Sequence, residues 1–165
     1  MALKADRHEQ TTDISFFYTA GTATRGGVAM LDAALASGAA MDQGVNQVKY
    51  MQATATSVPV GILLNDVVDK DLTRTHLNWF KDEVQKGGKV TVMTEGWVVT
   101  NMIDNVTITP GQVAYASATT AGNLTNVAAT ATASGNLAVG RFMSAKDTDG
   151  YAKVWVNLPN FGYAN

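Results

Sequence analysis

Lys89-Val-Thr-Val-Met-Thr-Glu-Gly-Trp-Val-Val-Thr-Asn-Met-Ile103 decides the fold class. Its first four residues alternate polar or charged with apolar side chains, the period of a half-buried strand, and Met93-Thr94 extends the run. Trp97-Val-Val-Thr100 is β-branched and aromatic, which suits a pleated surface. Between the two halves Glu95-Gly96 predicts a turn, so the stretch reads as a hairpin with Trp97–Ile103 as its return strand.

Working outward, the same chemistry recurs. Ile14–Thr19, Val28–Leu31, Val45–Tyr50, Val60–Leu64, Gln112–Ser117, Ala138–Ser144 and Ala152–Leu158 all read as strands bounded by Gly, Pro, Asn or Asp. Asp149-Gly150 is placed as the turn of a last hairpin. Ala118 to Ser134, rich in Ala, Thr, Asn and Gly, reads as an exposed loop or weak hairpin. Pro59-Val-Gly-Ile-Leu63 echoes Ala138-Val-Gly-Arg-Phe142, and the two Val-Gly pairs are expected at equivalent kinks of a small barrel. A short helix is expected over about 72–85, with Leu77, Phe80 and Val84 as its buried stripe and Gly87-Gly88 as its stop.

The predicted fold is mainly β: a small β-barrel or β-sandwich with an extended N-terminal arm and one short helix. Residues 1–13 carry charge at Lys4, Asp6, Arg7, Glu9 and Asp13 without any period, and are read as an arm, mobile in the free protein and removable without loss of fold. Residues 14–165 are then a single β-rich domain with a helical insertion near 71–86.

The chain has 165 residues, 46% hydrophobic and 16% charged, with 12 Lys+Arg against 14 Asp+Glu. A formal charge of −2 provides no general attraction to nucleic acid or an anionic membrane. No apolar run approaches the roughly 18 residues of a membrane helix. The charged N-terminus lacks the apolar centre of a signal peptide, predicting a protein made in the cytoplasm. Absence of Cys excludes thiolate metal sites, cysteine nucleophiles and disulfides. Abundant Ala, Thr and Gly with few charges suits a surface largely covered by partners.

Catalytic equipment is sparse. His8 lies in the arm, which cannot hold a general base in place, and His76 lies on the expected helix with Asp82 off its face and Glu83 two turns away. Asp66, Asp69 and Asp71 cluster, and Asp147-Thr-Asp-Gly150 mimics part of a calcium loop, but Leu158 stands where the loop needs Glu. The cluster is read as a loop edge and helix cap. Neither Gly26-Gly27 nor Gly87-Gly88 sits in a phosphate-binding pattern. Trp97, Tyr115 and Trp155 are scattered along the chain and read as core. No catalytic residue, metal site or cofactor is expected.

Several segments do resemble a known family. Pro59-Val-Gly-Ile-Leu-Leu-Asn-Asp-Val-Val68, His76 to Val90, Gly96-Trp-Val-Val-Thr-Asn-Met-Ile103 and Val139-Gly-Arg-Phe-Met-Ser-Ala-Lys-Asp-Thr-Asp-Gly-Tyr-Ala-Lys-Val154 are similar to capsid decoration, or cement, proteins of tailed bacteriophages. The likeness covers roughly residues 26–158. It implies a non-enzymatic virion protein on the capsid exterior, often a homotrimer, whose partner is the major capsid protein. The expected capsid contact is the arm: Ala2, Leu3, Lys4, Ala5, Asp6, Arg7, His8, Glu9 and Gln10. Trp79, Lys81 and Asp82 would form a second contact surface. The alternatives are a minor head or tail component, or a β-rich module or enzyme with a small-molecule pocket.

Overall fold

The computed structural model describes residues 2–32, 46–53, 57–69, 83–128 and 138–158. Eleven strands occur among them: β1 (Leu3–Tyr18), β2 (Val28–Leu31), β3 (Gln47–Tyr50), β4 (Pro59–Leu63), β5 (Asp66–Val68), β6 (Glu83–Gln85), β7 (Lys89–Thr100), β8 (Val113–Ala116), β9 (Leu124–Thr125), β10 (Ala138–Phe142) and β11 (Ala152–Asn157). The fold is mainly β, as its composition predicts.

Five strands close on themselves in the order β1-β3-β2-β4-β7, because β7 also pairs with β1. Only the β1–β3 contact in this ring is parallel. Closure covers the strand edges at this end of the barrel, edges that would otherwise invite association. Tyr18, Ala29, Val48, Leu63, Val90 and Val92 fill the interior of the ring, joined by Ala23 and Val67.

Strand β7 belongs to two layers. One edge runs along β1, from Leu3↔Thr100 to Phe17↔Lys89. The other edge is shared: β4 takes Val92 and Met93, and β11 takes Glu95 to Thr100. From there the sheet continues through β10 and β8 to β9. It lies over the outside of the barrel, where Val98, Phe142, Val154, Val156 and Ala114 join Val28, Ile62, Leu64 and Met93 in the larger core. Adjacent Ile62 and Leu63 face different cores, as the two-residue strand period requires.

Both Val-Gly pairs occupy bulges. Ala29 and Met30 pair with Gly61 and Pro59, leaving Val60 extra; Tyr115 and Ala114 pair with Ala138 and Gly140, leaving Val139 extra. A side chain on Gly61 would overlap the Met93 carbonyl, and one on Gly140 the Trp155 carbonyl. The bulges bend each strand, and glycine permits the close approach.

Three expectations are corrected. Glu95-Gly96 reverses nothing: β7 runs straight through it, with register shifts against β1 on either side of Thr11↔Glu95. Because both edges of β7 are already paired here, the irregularity is absorbed as a bend. The end of the expected helix, Glu83–Gln85, is instead β6, paired in parallel with Asp66–Val68. Val84 packs beside the barrel core from a strand, so its helical spacing from Phe80 was misleading. The remainder of that helix, Leu77 and Phe80 included, lies outside the described residues.

The third correction concerns the arm. Leu3 to Asp13 form the first two-thirds of β1 and are paired with β7. Their polarity reflects solvent on both faces of the strand from His8 to Thr12, while Leu3, 1% exposed, is driven into the larger core. Ala118–Ser134 also begins as ordered structure: the turn after β8 leads into β9, with Tyr115↔Thr125 and Ala116↔Leu124 in register.

Candidate functional site

Strand β1 carries most of the sequence-predicted contact residues, and the structure sorts them. Ala2 and Leu3 are buried, and the Ala2 carbonyl accepts a hydrogen bond from the Asn101 N–H at 3.0 Å. Lys4 and Arg7 are half-buried; Ala5, Asp6, His8, Glu9 and Gln10 are exposed. Among the described residues, β1 has a strand on its second edge only at Phe17 and Tyr18, where β3 pairs. From Lys4 to Phe16, then, one side of β1 is bonded to β7 and the other presents no strand partner. Trp79, Lys81 and Asp82 lie outside the described residues.

The start of β1 is tethered electrostatically. Lys4 Nζ donates to Asp147 Oδ2 at 2.8 Å and sits 4.2 Å from the centre of the Tyr151 ring. The hydrogen bond to Asp147 raises the Lys4 pKa above its usual range. The same bond, followed by the Tyr151 N–H donated to Asp147, lowers the aspartate pKa. Asp147 Oδ1 accepts the N–H groups of Asp149 and Tyr151 at 3.0 and 2.8 Å. With Gly150 at φ +83°, that geometry builds a tight turn, so Asp147 organises the β10–β11 connection. Arg7 and Glu9 form a second ion pair on β1.

Other sequence candidates have local structural partners. Asp66 Oδ1 accepts the Arg25 N–H at 2.7 Å. Asp66, Asp69 and Glu83 border an open cleft of about 660 Å³ that also includes Thr22, Thr24 and Tyr50. Burial pushes the Tyr50 hydroxyl well above the normal tyrosine range. Tyr18 Oη accepts the Tyr50 N–H at 3.3 Å, and the two rings meet edge to face at 6.0 Å. Asp71 and His76 lie outside the described residues. Among the described residues, no group of three His, Asp or Glu side chains is placed to hold a metal ion.

Sequence reasoning missed a polar hub. The Asp104 carboxylate accepts bonds from Ser117 Oγ at 2.6 Å, Asn123 Nδ2 at 3.0 Å and Thr119 Oγ1 at 3.2 Å. Lys146 Nζ donates to the Asp104 carbonyl at 2.5 Å. The hub ties the β8–β9 turn to the chain after β7. Its signal was only a Ser/Thr/Asn run, with an Asp distant in sequence.

A closed barrel, a second layer of strands packed on its wall, and a long strand solvated along one edge define a two-layer β domain. Comparison with family models identifies which kind. Residues 7–157 match the phage cement family, described as "Structural cement protein (E217 gp24/Pam3 gp6)". The chain belongs to that family, and is a structural component of the phage virion, associated with the capsid. No match is found among curated proteins.

Proposed function

We propose that this chain binds the outside of the phage capsid and stabilises the lattice of the major capsid protein. The observation that carries the reading is the family match, which spans both layers of the fold. The two-layer β unit supports it physically, because a clamp between subunits must resist deformation. β1 supplies a suitable contact: Ala5, Asp6, His8, Glu9 and Gln10 are exposed on a strand with an unoccupied edge among the described residues. Such an edge can accept an extended segment through main-chain hydrogen bonds. Ala2 and Leu3 act from within, anchoring β1 in the core. The working unit is a homotrimer, which multiplies individually weak contacts by avidity.

Heads assembled from the phage's major capsid protein alone, mixed with the purified chain, test this. The chain should cosediment with the heads and raise their resistance to heat. Failure of the folded protein to associate with the heads would overturn the reading. Light scattering should give three times the 17.4 kDa chain mass; a monomer at high concentration would remove the trimer alone.

A further inference from the structure

The outer face of the second sheet carries an aromatic and cationic row that the sequence order conceals. Trp155 lies between Val154 and Val156, both fully buried in the larger core, so the indole points to the opposite face. Trp97 precedes buried Val98, and Arg141 precedes buried Phe142, so they share that outer face. Register aligns them across five strands: His8↔Trp97, Trp97↔Trp155, Trp155↔Arg141 and Arg141↔Val113. Five strands at about 4.8 Å spacing make the row about 19 Å long. Both indoles are half-buried rather than core. In the next row Lys153 lies beside Met143, which is 51% exposed.

Charge is positive toward the β8, β10 and β11 end of this face. Gly96–Thr100 of β7 and the whole of β8, β10 and β11 contain no Asp or Glu, yet they carry Arg141 and Lys153. Lys153 Nζ stands 3.6 Å from the Trp97 ring centre, and Arg141 Nη1 donates to the Gly111 carbonyl at 2.5 Å. Of the acids at the margin, Asp147 is engaged by Lys4 and Glu9 by Arg7, while Asp6 and Glu95 flank only the His8–Trp97 end of the row, away from Arg141. Trp and Arg concentrate binding energy at protein interfaces, and Met is enriched there.

The geometry points to this row as a second docking surface, taking an acidic segment of the major capsid subunit that seats an apolar side chain beside Trp155. The inference rests on the capsid-binding reading above. An acidic partner is the occupant because carboxylates would meet Arg141 and Lys153 across an apolar floor that favours exclusion of water. The row starts at His8, so it is continuous with the proposed β1 contact.

Binding of Arg141→Glu/Lys153→Glu and of Trp155→Thr to heads of the major capsid protein tests the inference. Sedimentation of the free variants and their circular dichroism are read in parallel. Each folded variant should bind the heads at least about tenfold more weakly, with its oligomeric state unchanged. The double charge variant keeps the test open if Trp155→Thr fails to fold. Variants that bind as tightly as wild type would overturn the second surface and leave the capsid reading intact. Altered oligomeric state would overturn it in favour of a contact between copies of this chain. Absence of wild-type binding would overturn the capsid reading itself, and the second surface with it.

Discussion

Lys4 Nζ and Asp147 Oδ2, 143 residues apart in sequence, meet at 2.8 Å and pin the start of β1 to the β10–β11 turn. The Asp147 pKa is lowered from 3.8 in the folded protein, so its contribution is present above that value and is lost as pH falls through the depressed one. The Lys4 pKa is raised from 10.5, so its contribution is present below that value and is lost as pH rises through the elevated one. The pair is solvent-exposed, and its effect is local. Amide exchange at residues 4–7 should accelerate at the acid end of the scale and again at the alkaline end. Asp147→Asn should flatten the acid limb while leaving the melting temperature nearly unchanged. An undiminished acid limb in that variant would show that another group governs the strand.

Leu3 anchors the same strand through burial. Leu3→Ala should cost about 2–5 kcal/mol in urea unfolding, as expected for truncating a buried leucine. Deleting residues 2–12 should be worse, because it also uncovers the β7 edge. That truncation is expected to aggregate or to melt far below the full chain. A truncated protein with an unchanged melting temperature would mean that the first part of β1, ahead of Asp13, contributes nothing to stability.

Glycine positions separate two costs. Gly140→Ala should destabilise by about 2–4 kcal/mol, because the new carbon would overlap the Trp155 carbonyl. Gly96→Ala should be at least as damaging, combining φ +139° with overlap of the His8 carbonyl. Gly111→Ala, at φ +93° but in open space, should cost only about 1–2 kcal/mol. Denaturant titration of the three variants checks the order.

Asp104→Ala should cost about 1–3 kcal/mol, since it strips acceptors from Ser117, Thr119 and Asn123. Asp104→Asn retains one oxygen and should lose less. Proteolysis within 118–123 should quicken in the alanine variant; an unchanged rate would separate the hub from the order of that turn.

Strand identity was legible wherever one face is buried. The alternation of Lys89–Val92 and the Ala-Lys-Val-Trp-Val pattern of β11 mark which side chains meet a core, a local consequence of the two-residue period. The Val-Gly echo was legible because a bulge leaves a local signature. Of β1, only Ile14–Tyr18 was read as strand; ahead of it, between Lys4 and Asp13, no side chain is fully buried, so a paired strand and a mobile arm look alike. Its pairing depends on backbone groups of β7, which every sequence possesses.

By itself, the sequence determined the β class, the Gly-kinked strands, the closing Asp-Gly turn and a likeness to cement proteins. Each follows from side-chain chemistry within a few residues. Tertiary structure alone decided that β7 runs straight through Glu95-Gly96, that Glu83–Gln85 pairs as a strand, and that His8, Trp97, Trp155 and Arg141 stand in one row. Register between strands distant in sequence makes those choices. Whether Gly96 turns the chain or bends it depends on β1 and β11 occupying both its edges, which no local window of sequence contains.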